Sequence, residues 1–326
     1  MQAVVYRRTG AARDVLSIEQ LPEPLPGPGE VLVRVAYSGV NPSDVKARAG
    51  LGGMAWEAVV PHSDGSGVVA GVGEGVEAAW LGKRVWFFHA QWQRAMGSAA
   101  QRVCLPLAQV AELPDGVPLR IGAAIGIPLM TAHHAVHGYG SVAGKTVLVT
   151  GGAGNVGFYA IQLARLAGAR VAATVSGAEK GELACAAGAD LVLDYRDADA
   201  LGGRLHEFTG GRGVDVIIEV NASHNAPRYP EWLAFGGRVV VYGSHEAEIR
   251  FSYRGMIRVF GSVSYFVVYL LPPALQAQLV RDITQLLADG ALRHAPQATF
   301  APEQAAEAHE HVEAGRIGKA LLKMGG

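Results

Sequence analysis

Lys145 to Gly168 reads KTVLVTGGAGNVGFYAIQLARLAG. A short apolar β-prone run (Val147, Leu148, Val149) leads into GxGxxG at Gly152, Gly154 and Gly157, and an amphipathic helical pattern follows to Gly168. Strand, glycine turn and helix in that order form the context in which the motif signals a dinucleotide. Gly152 is expected to allow the sharp turn. Gly154, lacking a Cβ, lets the backbone approach a pyrophosphate, and Gly157 lets the helix pack on the strand. Asn155 and Val156 then open a helix whose unpaired N–H groups and dipole favour an anion.

Outward from this stretch the pattern divides. Downstream, β-rich runs at Val171–Val175, Leu191–Leu193, Val214–Val220, Arg238–Tyr242 and Arg258–Ser264 alternate with helical runs at Glu179–Ala187, Ala198–Thr209 and Asn225–Phe235. Gly168, Gly188 and Gly236 stand where helix C-caps belong. This predicts an α/β, doubly wound parallel sheet. Upstream, short strands broken by glycines and prolines predict a partly closed barrel. Expected boundaries are 1–120 for the β-rich domain, 121–264 for the dinucleotide domain, and 265–326 for a return to the first. The last part holds helices near Ala274–Asp289 and Pro302–Ala314 and a strand at Ala320–Met324.

Composition narrows the class. The 326 residues are half apolar and 17% charged, with a net charge of -1. That describes a globular chain and disfavours nucleic acid as the main partner. No run resembles a signal core or a membrane span, and two cysteines make no disulfide framework, so a cytoplasmic enzyme is expected.

An NAD site ends its second strand in an acid that takes both ribose hydroxyls. Here the strand runs into Ser176-Gly177-Ala178-Glu179-Lys180. A hydroxyl and a lysine suit a 2′-phosphate, which needs donors and a cation, so NADPH is expected, with Tyr195 or Arg196 as a further wall. Glu179 would weaken this preference if it faced the ribose.

Several further stretches, SGVNPSD, PHSDGSGVVAGVGEGV, IPLMTAHHA, GVDVIIEV, FGGRVVVYGS and GRIGKALLKM, complete a pattern that resembles the medium-chain dehydrogenase/reductase superfamily. Within it the chain is similar to the zinc-free, zeta-crystallin-like NADPH:quinone oxidoreductases. The resemblance implies a GroES-like catalytic domain beside a Rossmann domain, with a cleft between them. It implies a homodimer joined along the edges of two Rossmann sheets. It also places the nicotinamide against Asn41, Thr131 and Phe266–Val268. Gly154, Val156, Ser176, Lys180, Tyr195, Tyr242, Ser244 and Lys319 would line the cofactor, with Asn221 nearby. The chain departs from its relatives at Asn155, where glycine is common, and in lacking a tyrosine shortly after NPSD. Asn155 is expected to tolerate a left-handed turn.

Metal and nucleophile alternatives are poorly supplied. Where zinc relatives carry a cysteine and GHE, this chain has Ser38-Gly39-Val40-Asn41 and His62-Ser63-Asp64. No metal is expected. His133, His134 and His137 read as structural or cleft-lining, and His309 and His311 as solvated. No GxSxG elbow is present.

The expected reaction is hydride transfer from NADPH to a quinone or similar conjugated carbonyl. Asn41 and Thr131 would lie beside the nicotinamide or substrate, and Asp44 and Lys46 would set local charge or pass a proton. Trp56 and Trp92 are candidate walls, equally explained by packing. The alternatives are an enoyl or alkenal double-bond reductase and a non-catalytic NADPH-binding protein.

Overall fold

The computed structural model describes residues 1–325, excepting the side chains of residues 198 and 199. It divides into two compact units: Met1–Ile127 with Ala274–Gly326, and Pro128–Pro273. The second unit begins at Pro128, where the sequence pattern put a boundary at 121, and the chain returns to the first unit at Ala274, where it put 265.

The strands in chain order are β1 (Gln2–Val5), β2 (Ser17–Gln20), β3 (Glu30–Gly39), β4 (Asp64–Val72), β5 (Arg84–Phe87), β6 (Arg102–Pro106) and β7 (Val110–Glu112). They continue as β8 (Thr146–Val149), β9 (Arg170–Val175), β10 (Leu191–Asp194), β11 (Val214–Glu219), β12 (Leu233–Val241) and β13 (Ser262–Tyr265), closing with β14 (Gln297–Phe300) and β15 (Lys319–Lys323). The helices are α1 (Ala12–Val15), α2 (Pro42–Ala49), α3 (Leu119–His137), α4 (Asn155–Leu166), α5 (Ala178–Ala186) and α6 (Ala198–Phe208). Then come α7 (Ala222–Asn225), α8 (Tyr229–Trp232), α9 (Tyr253–Arg258), α10 (Pro273–Ala288) and α11 (Ala305–Glu313).

The first unit is built on a seven-stranded sheet in the order β14-β15-β3-β4-β5-β7, with β6 also pairing β3. Alternation along β3 explains its place: Val31, Val33 and Val35 are fully buried, while Arg34 between them is exposed. The return of the chain matters to the site. Strand β15 pairs antiparallel with β3, Leu321 opposite Gly39, so Lys319 comes close to the start of α2.

The second unit holds a six-stranded parallel sheet in the order β10-β9-β8-β11-β12-β13. This is the doubly wound order in which the strand sequence reverses beside β8, the crevice where ligands bind in such sheets. Two expectations fail locally. Asn225–Phe235 is not one helix, because Pro227 and Pro230 lack the N–H groups a continuous helix needs. The chain instead forms α7, a 3-10 turn at Ala226–Arg228 and α8, and Phe235 and Gly236 belong to β12. Gly236 therefore is no helix cap; its φ of 76° sits within the strand, whose register against β11 shifts between Val214 and Val216. Arg258 ends α9 instead of starting a strand, since the Ser252 side chain caps that helix by accepting from the Gly255 N–H.

Candidate functional site

The glycine turn in the second unit follows β8. Gly151 carries the positive φ, 67°, so it and not Gly152 makes the sharp turn. Gly152 is a packing glycine: a Cβ there would stand 2.8 Å from that of Ala173. Gly157 behaves as expected, since a Cβ would meet the Gly151 carbonyl at 2.3 Å. Gly154 is the N-cap of α4, and the one atom a Cβ there would approach is the Gly151 oxygen, at 3.2 Å. Open space at a helix N-terminus is what a pyrophosphate requires, so the residues fit the cofactor. Asn155 is the first residue of α4 with ordinary helical backbone. The left-handed tolerance expected of it is not used.

Beneath the turn lies a residue that sequence reading overlooked. Glu219, fully buried at the end of β11, accepts from Thr150 Oγ1 at 2.8 Å, the Asn221 N–H at 2.6 Å and Asn225 Nδ2 at 3.1 Å. Burial pushes its pKa up, against the pull of these donors. Asn221 in turn accepts from Ser223 Oγ, whose backbone N–H donates to Ser244 Oγ. The two cofactor candidates Asn221 and Ser244 thus share one polar network. Tyr242, directly after β12 and two residues before Ser244, is half-buried.

At the tip of β9 the N-cap of α5 is Gly177, with no side-chain cap bond, so Ser176 is not spent on capping. Glu179 is exposed on the first turn of α5, while Lys180 is half-buried. The Arg196 guanidinium holds Asp194 through Nε and Nη2, at 2.9 and 2.5 Å. It lies 3.3 Å from where a Cβ of Gly177 would stand. That pairing draws the half-buried Asp194 carboxyl down to about 2. Tyr195, 45% exposed, flanks it.

Elsewhere in this unit, Thr131 is buried on α3, three residues before His134. The His134 ring meets Phe266 edge-on, centroids 4.6 Å apart, and Val268 is buried two residues on. His133 and His137 lie against each other at 4.7 Å. Among the described residues no three His, Cys, Asp or Glu side chains are grouped to hold a metal ion.

The first unit concentrates its polar chemistry where α2, β4 and β15 begin. Asn41, at the N-cap of α2, donates its Nδ2 to Asp64 Oδ2 at 2.8 Å. Lys319 Nζ donates to Asn41 Oδ1 at 2.5 Å and to Asp64 Oδ2 at 3.1 Å. Asp64 Oδ1 accepts the Ile127 N–H at 2.8 Å, a contact open because residue 126 is glycine; a Cβ there would strike Oδ1 at 2.3 Å. All three side chains are essentially buried. Asp44 accepts the Asn41 N–H at 2.7 Å, and burial, then the neighbouring Asp64 charge, push its carboxyl up to about 7. Lys46, two residues further along α2, is exposed.

Asp64 is the hub, and sequence reading met it only as a misfit in a zinc motif. A second correction concerns His309. It is fully buried, not solvated, and its Nε2 lies 2.9 Å from His62 Nε2. Its place four residues after Ala305, on the face of α11 that also buries Ala308, was the signal available. His311 is half-buried and bonds the Ile317 carbonyl. Trp56 is 37% exposed and Trp92 half-buried, whereas Trp86 is fully buried.

Residues 27–115 match the family described as alcohol dehydrogenase GroES-like domain, and residues 155–281 match zinc-binding dehydrogenase. The human quinone oxidoreductase is 30% identical over 305 residues, 92% of this chain and 90% of that protein. The pig quinone oxidoreductase is 31% identical over the same shares. A mycobacterial structure complexed with NADPH superposes with a TM-score of 0.89 at 29% identity, covering 99% of this chain and 100% of that one. The chain therefore belongs to the quinone oxidoreductase family, within the medium-chain dehydrogenase/reductase superfamily.

Proposed function

We propose that the protein is an NADPH-dependent reductase of quinones or similar conjugated carbonyls that needs no catalytic metal. The observation that carries this is the β9 tip. Ser176, Lys180 and the guanidinium beside Gly177 offer donors and positive charge where an NAD site keeps a carboxylate. The turn at Gly151–Gly157 and the first N–H groups of α4 would hold the pyrophosphate, and Asn155 and Val156 open that helix. Tyr195 would flank the 2′-phosphate, and Asn221, Tyr242 and Ser244 the ribose side. Thr131, Phe266 and Val268 would seat the nicotinamide. When bound, NADPH supplies the hydride.

Reduction of a quinone adds a hydride and a proton and leaves a hydroquinone. The charge that develops on oxygen is stabilised enough to need no Lewis acid. In the first unit an ammonium, that of Lys319, already stands between Asn41 and Asp64, filling the space a cation would need. Lys319 and Asn41 would act as fixed donors, and Asp44, poised near neutrality, would hold or release a proton. Exposed Lys46 would at most pass protons to solvent.

The assembly we propose is a homodimer. Strand β13 ends the sheet, and Phe235 and Phe260 stack nearby, 79% and 73% exposed. An apolar patch at a strand edge is what a second copy would cover. No described helix is long and apolar enough to cross a membrane. The two free cysteines suit a reducing cytoplasm, where we place the protein.

The test follows NADPH absorbance with a panel of quinones, a panel of enones and no acceptor. Oxidation with quinones supports the reading. Oxidation with enones alone moves the protein to the double-bond reductases, and tight NADPH binding with no turnover removes both.

A further inference from the structure

A line of buried side chains runs behind Asp64, and counting protons fixes its direction. Ser98 Oγ donates to the Asp64 carbonyl at 2.6 Å, which uses its one hydrogen. In the 2.7 Å contact between Ser98 and Ser38 the donor must therefore be Ser38. Ser38 then has no hydrogen left for His62 Nδ1 at 2.8 Å, so His62 Nδ1 carries one and donates. Burial and the adjacent His309 and Lys319 keep His62 uncharged, so its Nε2 is bare and accepts from His309 Nε2–H. His309 is left with a bare Nδ1, which has no protein partner. The buried Arg48 cation near it opposes a second proton on His309.

The backbone gives this line a task. His62 has a φ of 82°, a conformation costly for a residue with a Cβ. Such strain persists only where surroundings over-determine it, and here the two bonds of the His62 ring act together with the Ser98 N–H that donates to the His62 carbonyl at 3.0 Å. The next residues are Ser63, whose Oγ lies 3.4 Å from Asp44 Oδ1, and Asp64 itself. We infer that His62 and His309 are positioning residues: as a tautomer-locked pair acting through Ser38 and Ser98, they hold the strained entry to β4 so that the Asp64 carboxylate keeps Lys319 and Asn41 in place.

The inference rests on the proposed reaction only for its kinetic consequence, so its test has two arms. The first needs no turnover. Imidazole nitrogen resonances of the full-length protein, assigned with His62→Gln and His309→Gln, are followed from pH 5 to 8. The expected result is two neutral rings of opposite tautomer, His62 protonated on Nδ1 and His309 on Nε2, neither titrating. A ring charging near pH 6.5, or the same tautomer at both, overturns the inference. The second arm compares His309→Phe, which keeps the ring and removes the donor, with His309→Gln, whose amide N–H can replace it. With a quinone that the wild type reduces, kcat is expected to fall tenfold or more in the Phe variant and recover in the Gln variant, the KM for NADPH changing less than threefold in both. Equal kcat in the two folded variants overturns the positioning role. A wild type inactive with every acceptor refutes the proposed reaction and leaves the tautomer arm to decide the pair.

Discussion

Lys319 at the start of β15 and Asp64 at the start of β4 are 255 residues apart in sequence and 3.1 Å apart in space, both buried. Removing one partner leaves a buried charge uncompensated, at a cost of roughly 3–5 kcal/mol. Lys319→Met and Asp64→Asn are each expected to destabilise by that order. The double variant should lose clearly less than their sum, because neither charge remains. A double-mutant cycle by urea denaturation measures the coupling.

The glycine turn separates binding from folding. In Gly154→Ala the new methyl has only the Gly151 oxygen near it, at 3.2 Å, so stability should change by less than ~1 kcal/mol, in line with open-site substitutions. NADPH affinity should fall at least tenfold, because the methyl stands where a phosphate must approach. Gly157→Ala drives a methyl into the Gly151 carbonyl and should cost a few kcal/mol of stability, on the order of overpacking. Thermal unfolding without ligand and NADPH titration distinguish the two.

Cofactor choice is expected to depend on the Asp194–Arg196 pair. Arg196→Ala removes the guanidinium beside Gly177 and leaves Asp194 unpaired. NADPH affinity should drop by ten- to a hundredfold with NADH affinity little changed, because only the 2′-phosphate meets the uncovered carboxylate. Arg196→Ala combined with Asp194→Ala should recover part of the loss. Equal losses for NADPH and NADH would refute the assignment.

Acid sensitivity follows from three buried groups of opposite sign. His309, lowered to about 3 by burial and the nearby Arg48 charge, and His62, also lowered by burial, bind protons in the unfolded chain below about pH 6.5 and not in the folded one. Each contributes stability that is present above that pH and lost on acidification, about 1.4 kcal/mol per pH unit. Asp44, raised to about 7, binds its proton in the folded chain first. Its contribution is full below the unfolded carboxyl value near ~4 and is lost as pH rises through 7. Relative to wild type, His309→Gln should fare better as pH falls from 6.5 toward 4, and Asp44→Asn should fare better as pH rises from 4 to 8. Denaturant midpoints across pH 4–8 check both signs.

The sequence by itself determined the second unit's plan. A parallel sheet needs continuous apolar strands separated by amphipathic helices, and the turn needs glycines at fixed offsets, so the periodic pattern and GGAGNVG suffice. Even there, which glycine turns and which packs depended on φ at Gly151 and on the approach of Ala173 to Gly152. Two prolines broke a helix that apolar spacing had suggested. The buried cluster of the first unit lay beyond local pattern. Nothing near Asp64 in the chain announces Lys319 or His309; antiparallel pairing of β15 with β3 and burial of one face of α11 bring them there. Burial then decides the chemistry, turning an ordinary aspartate into a carboxyl near neutrality and two histidines into uncharged hydrogen-bond partners. Desolvation is a property of the folded surroundings, and only the tertiary structure supplies it.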